Sequence, residues 1–192
     1  MHAAAQAGLR PVPFYYLRHG ETDWNRERRI QGSTDVSLNE LGRAQAEAAA
    51  ALLAGREIAI ICTSPLRRAR ETVAIVNRRL RRPVVVVEGL RECDLGCREG
   101  GVFGDWWHDW RACRSTPEGA EPYEAFLTRA LAAVNEALLR PGPVLVVGHG
   151  GVYWSVQRHC ALDGEATLPN CRPVWHQPPA TDAPAWRTEV LG

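Results

Sequence analysis

Two short apolar runs, each stopped by a histidine set among glycines, constrain this chain more than any other feature: Phe14-Tyr15-Tyr16-Leu17-Arg18-His19-Gly20 and Val144-Leu145-Val146-Val147-Gly148-His149-Gly150-Gly151. A continuous apolar run of this length predicts a strand buried on both faces, as in a parallel sheet covered by helices. In such sheets ligands bind at the carboxyl ends of the strands, where loops present backbone N–H groups and side chains without breaking the ladder. A lone histidine after a strand is commonly a hydrogen-bonded structural residue. Here there are two, bracketed by glycines that permit close backbone approach and, at the first, flanked by the charges of Arg18 and Glu21; this predicts one shared pocket.

The rest of the composition narrows the chemistry. A chain of 192 residues is most economically one domain, able to bury roughly 70% of the surface its unfolded form exposes. The formal net charge of +1 argues against a protein built for the nucleic-acid backbone. All 23 basic residues are arginine. With no lysine, a P-loop nucleotide site, a Schiff-base enzyme and a pyridoxal-phosphate enzyme are excluded. Arginine codon preference accounts for the bias itself, but arginine is also the better phosphate grip, because its planar fork donates two parallel hydrogen bonds. The six cysteines are irregularly spaced, and Cys93-x-x-x-Cys97 has no second pair to complete a zinc set. Reduced thiols and a cytoplasmic protein are expected. Residues 1–13 read as a loose, disordered tail without the apolar core of a secretory signal. No apolar run approaches the roughly 18 residues of a membrane span.

Strand and helix signals alternate along the chain. The first strand is followed by an alanine-rich helix over Leu41 to Leu53, a strand over Ile58 to Cys62, and a helix from about Pro65 to Leu80 with Ser64 as N-cap. A third strand over Val84 to Val87, a tryptophan-rich segment (Trp106, Trp107, Trp110), a helix over Tyr123 to Leu139 and the strand at Val144 complete the order. The alternation predicts an α/β domain with a mainly parallel open sheet flanked by helices. Its four strand ends, at Arg18-His19, Thr63 to Arg67, Glu88 to Glu92 and His149, bring together two histidines, two arginines and a carboxylate. Arginines can neutralise phosphoryl oxygens, a histidine can attack phosphorus, and a carboxylic acid can protonate the departing alkoxide. This is a phosphoryl-transfer set that needs no metal or other cofactor. The residues alone do not say which histidine attacks.

With these segments in hand, the chain resembles the histidine phosphatase superfamily, whose other branch is the cofactor-dependent phosphoglycerate mutases. The resemblance rests on Arg18-His19-Gly20-Glu21-Thr22 with Asn25, then Gln31-Gly32, then Ser64-Pro65-Leu66-Arg67-Arg68-Ala69, then Glu92 with Gly96, Glu99 and Gly100, and finally Gly148-His149-Gly150-Gly151. It implies a phosphoglycerate mutase-like fold over residues 14–192 with a small cap insertion at about 99–128. It implies His19 as the nucleophile, forming a phosphohistidine, with Arg18, Arg67 and His149 on the phosphoryl oxygens. Glu92 would be the proton donor, Asn25 a further phosphate ligand, and Gln31, Gly32, Thr22 and Gly150 substrate-binding residues.

The branch is the next question. Mutases of this kind use a tyrosine and a lysine after the catalytic glutamate and then adjacent arginines. This chain has Leu95 at the tyrosine position, no lysine, and Arg111 and Arg114 apart. The expected function is therefore hydrolysis of a small-molecule phosphate ester, with the mutase and a catalytically silent phosphate- or protein-binding relative as alternatives. A metal-dependent hydrolase ranks behind these, because the histidines have no acidic partner at ligand spacing. No nucleic acid or membrane partner is expected, and a homodimer is left open. Arg68 and Arg70 read as solvated helix charges, and His108, His159 and His176 as structural or surface residues. The cap tryptophans are equally core or substrate contacts.

Overall fold

The computed structural model describes residues 8–160, 168–181 and 183–192. Six strands form one sheet in the order β3-β2-β4-β1-β5-β6. They are β1 (Phe14–Arg18), β2 (Ile60–Thr63), β3 (Val84–Val86), β4 (Val144–Gly148), β5 (Val174–Gln177) and β6 (Arg187–Val190). The pairs β1/β4, β4/β2 and β2/β3 are parallel, whereas β5 runs antiparallel to β1 and β6 antiparallel to β5. The helices are α1 (Asp23–Arg26), α2 (Glu40–Leu53), α3 (Arg67–Leu80), α4 (Asp105–Arg111), α5 (Tyr123–Ala137) and α6 (Gly150–Cys160). Among the described residues no helix is long and apolar enough to cross a membrane.

Strand alternation divides the core into two layers. Phe14, Tyr16, Val144 and Val146 face α5 and α6, packing with Phe126, Ala130, Val152 and Val156. Tyr15, Leu17, Leu145 and Val147 face the other way, onto Ala46, Ala49 and Leu53 of α2 and Ala69, Val73 and Val76 of α3. The two central strands are buried on both faces, which is why their sequences are unbroken apolar runs rather than alternating ones.

Four departures from the sequence expectations stand out. The structure ties down the described part of the expected tail: Leu9 is buried, Asn135 Nδ2 donates to the Gly8 carbonyl, and Asn135 Oδ1 accepts from the Arg10 N–H. Residues 1–7 lie outside the described residues. Helix α3 begins at Arg67, not Pro65, and Leu66 is its N-cap without a side-chain hydrogen bond. Ser64 does not cap it, because its hydroxyl accepts from the Leu66 N–H and also pairs with His149. Helix α5 opens at Tyr123, inside the span of about 99–128 expected as the cap insertion; before it that span holds α4 with its flanking loops, with isolated bridges at Arg29–Val102 and Leu95–Ala120. The antiparallel strands β5 and β6 complete one edge. At four residues each, they are too short to carry a clear periodicity.

Candidate active site

The ladder register builds the site. Arg18 stands opposite Gly148 at the ends of β1 and β4, and the His19 N–H donates to the Gly148 carbonyl at 3.0 Å. The next residues on the two strands, His19 and His149, therefore lie side by side, with ring centroids 5.2 Å apart. Tyr16 secures the second loop, its hydroxyl donating to the His149 carbonyl at 2.8 Å and accepting from the His149 N–H at 3.1 Å. A Cβ at Gly148 would meet that hydroxyl at 2.7 Å, so only glycine fits.

Hydrogen bonding sets the tautomer of His19. Its Nδ1 lies 2.7 Å from the Gly20 carbonyl, which can only accept, so Nδ1 carries the hydrogen and Nε2 keeps its lone pair. Burial, then Arg68 and Arg18, push the His19 pKa well below the ordinary imidazole value. His149 is shifted the same way, by burial first, then Arg68, His19 and Arg18. Its Nε2 is 2.7 Å from Ser64 Oγ, while its Nδ1 is buried with no partner among the described residues.

The arginine from α3 is not the one expected. Arg67 is exposed, its Nε bonded to Glu71 at 2.9 Å, and it does not line the pocket. Arg68 does. It is 1% exposed, and its two terminal nitrogens donate to the Thr34 and Gly32 carbonyls, each at 2.8 Å. Burial lowers its pKa to about 10, against the opposing pull of Glu92 and Asp35, so it stays charged at neutral pH. Arg18 donates from Nη1 to the Leu168 carbonyl at 2.8 Å. The Nε groups of Arg18 and Arg68, like His149 Nδ1, are buried without a partner among the described residues. Helical spacing carried the distinction: Arg67 and Glu71 form an i,i+4 ion pair on the solvent side, whereas Arg68 heads the stripe Arg68-Thr72-Ile75 beside the apolar stripe of α3.

The remaining wall comes from several loops around a cavity of about 570 Å³. Glu92 accepts from the Cys93 N–H at 3.0 Å and from the Gly151 N–H, at the start of α6, at 2.9 Å. It is the only carboxylate lining the cavity among the described residues. Asn25, Gln31, Gly32 and Gly150 also line it. Thr22 does not: it is fully buried as N-cap of α1, where its hydroxyl and N–H both engage Asn25. That capping box occupies Asn25 Oδ1 and leaves Nδ2 as the donor for the pocket. Gly32 has φ +52, and a Cβ there would stand 2.1 Å from Glu99 Oε1. Glu99 clamps this loop, accepting from the Ser33 and Thr34 N–H groups at 2.7 and 2.9 Å.

The cap divides its aromatic residues between two tasks. Trp110 is core, 1% exposed, with Nε1 donating to the Glu121 carbonyl at 2.8 Å. Trp107 and Arg111 line the cavity, as do Phe103 and His108, the last read from sequence as structural. Trp106 packs against Trp107 and Arg98, and Arg114 pairs with Asp109 at 2.6 Å away from the cavity. Trp24, Arg28, Arg29 and Trp154 also line the cavity and were not anticipated, since no periodic or glycine signal marks them.

Comparison with known proteins decides the family. The sequence pattern of the histidine phosphatase superfamily (branch 1) matches residues 14–172. The chain belongs to this superfamily. It is 35% identical over 156 residues to a glucosyl-3-phosphoglycerate phosphatase of Mycolicibacterium vanbaalenii, covering 71% of this chain and 68% of that one. It is also 35% identical over 147 residues to a probable phosphoglycerate mutase of Proteus mirabilis, covering 71% and 68%. A solved mycobacterial glucosyl-3-phosphoglycerate phosphatase in complex with VO3 superposes with a TM-score of 0.75 at 29% identity, covering 93% of this chain and 96% of that one. The match to histidine phosphatase relatives thus spans most of the chain, and not one motif alone.

Proposed function

We propose that the protein is a phosphomonoester hydrolase of small phosphorylated metabolites, working through a phosphohistidine on His19. One observation carries the reading: two buried guanidinium nitrogens, Arg18 Nε and Arg68 Nε, have no acceptor among the described residues, beside a histidine held neutral with its Nε2 lone pair available. Leaving buried donors unmet costs roughly 1–3 kcal/mol each, a cost that phosphoryl oxygens remove.

The steps follow from these groups. His19 Nε2 attacks phosphorus as the ester P–O bond breaks. Arg18, Arg68, His149 and Asn25 Nδ2 hold the equatorial oxygens, and protonated Glu92 delivers its proton to the departing oxygen. Water then attacks the phosphohistidine, Glu92 takes a proton back, and inorganic phosphate leaves with His19 neutral again. The positive charge comes from guanidiniums, so no metal is required. Hydrolysis rather than mutase transfer is favoured by the buried, apolar Leu95 beside the cavity and by a chain without lysine.

Phosphate release from an alkyl phosphate and from p-nitrophenyl phosphate, in excess chelator, tests the reading. Turnover should persist in chelator. Glu92→Gln should lose about 10²- to 10⁴-fold on the alkyl ester and far less on p-nitrophenyl phosphate, whose leaving group needs no proton. Activity restored only by a divalent metal, or an equal loss on both esters, would contradict it.

A further inference from the structure

Glu92 must present its carboxyl to one departing oxygen, yet residues 91–94 form neither helix nor strand. Its side chain is held by the Cys93 and Gly151 N–H groups, but those bonds do not fix the backbone from which it hangs. That backbone lies close on α5, where a Cβ at Gly89 would stand 2.7 Å from the Ala133 Cβ. One side chain of α5 ties it down.

Arg129 Nη1 donates to the Gly89 carbonyl at 2.8 Å and to the Arg91 carbonyl at 3.0 Å, and its Nη2 reaches the Glu92 carbonyl at 3.5 Å. The other edge of the guanidinium grips Glu121 as a fork, Nε to Oε1 at 2.9 Å and Nη2 to Oε2 at 2.7 Å. These acceptors account for all five of its N–H groups. Glu121 is anchored in turn, its N–H donating to the Asp94 carbonyl at 2.8 Å and its carbonyl accepting from Trp110 Nε1 at 2.8 Å. The half-buried pair therefore binds the loop on both sides of Glu92 and links it to α5 and to the cap. Arg129 does not line the cavity, so it cannot touch the ester itself.

We propose that Arg129, locked by Glu121, is a positioning residue for proton donation: it fixes the backbone from Gly89 to Glu92 so that the Glu92 carboxyl meets the departing oxygen. The inference rests on the phosphatase reading above and on the proton-donor role of Glu92 within it. Lysine could not substitute, because three donors on a point charge cannot fork a carboxylate and also serve these carbonyls.

The test is kcat/KM, which covers the steps up to departure of the alcohol, for glycerol 3-phosphate and for p-nitrophenyl phosphate. A displacement of about 1 Å at a catalytic group costs roughly 10²-fold. Arg129→Gln should therefore lose about 10- to 100-fold on glycerol 3-phosphate and only a few-fold on p-nitrophenyl phosphate, whose leaving group needs no proton. Placed on Glu92→Gln, the same substitution should add almost nothing on either ester, since residues that act through one group are not additive. A merely structural role would give equal losses on both esters, or a full further loss in the Glu92→Gln background, and either result would overturn the inference. So would unchanged rates in Arg129→Gln. If circular dichroism shows that Arg129→Gln is unfolded, Glu121→Gln carries the test: it loosens the fork and should give a smaller loss with the same split between esters, an equal loss on both or none again overturning the inference. Failure of the parent enzyme to turn over either ester would instead remove the phosphatase reading itself.

Discussion

At the scale of single residues, the site turns on one step along α3. Arg67 and Arg68 are adjacent and chemically identical, yet one faces water and pairs with Glu71 while the other is buried and holds the Gly32 and Thr34 carbonyls. Arg68→Ala should lower kcat/KM by about 10²- to 10³-fold, the cost of losing one preorganised donor to a developing oxyanion. Arg67→Ala should stay within a few-fold, because it removes only an exposed i,i+4 pair. Steady-state kinetics on the two variants decides the matter; the reverse order would contradict the placement. His19, Glu92, Asn25, Gln31 and Gly32 were legible in the sequence as neighbours of one pocket, with His149 beside His19, because strand ends and glycines mark them. Arg68 needed the helix phase as well as the motif. The outer residues Trp24, Arg28 and Trp154 were illegible, since they converge only through tertiary packing of α1, the cap and α6.

At the scale of elements, close backbone approach decides more than propensity does. Gly42 lies in the first turn of α2, where alanine would gain about 1 kcal/mol of helix propensity. Its Cβ would, however, stand 2.0 Å from the Glu21 carbonyl oxygen, a backbone atom two residues after His19. Overpacking of this kind costs roughly 1–3 kcal/mol. Against a rigid backbone atom the clash falls at the upper end of that range, about 2 kcal/mol net of the propensity gain, so Gly42→Ala should lower Tm by about 4–8 °C and reduce turnover. Thermal unfolding followed by circular dichroism checks it, and an unchanged or raised Tm would contradict the packing. Strands β1, β2 and β4 and the long helices were readable because buried strands make apolar runs and helix faces keep their period; β3 was readable from its run of valines, although Val84 and Val86 are exposed. β5 and β6 were not. They join the sheet through backbone pairing at an edge, and all four residues of β6 are exposed.

At the scale of the whole molecule, three buried histidines link stability to acidity. Burial comes first among the causes at His19, His149 and His176, and it holds His176 at about 4. The unfolded chain binds protons at these rings from about pH 6.5 downward, while the folded protein does not until lower pH. Unfolding therefore takes up protons, and stability should fall steadily from about pH 6.5 toward pH 4. Denaturant titrations across that window should show a declining midpoint, and a flat profile would mean the rings are charged in the fold.

The central claim is that His19 Nε2, left with its lone pair by the bond from Nδ1 to the Gly20 carbonyl, is the atom that accepts phosphorus. Rapid acid-free quenching of turnover with a labelled phosphomonoester, followed by peptide mapping under alkaline conditions, tests it directly. The account predicts alkali-stable, acid-labile phosphate on the peptide containing His19, lost entirely in His19→Ala. Phosphate on His149, on a serine or on a cysteine, or full activity in His19→Ala, would contradict it.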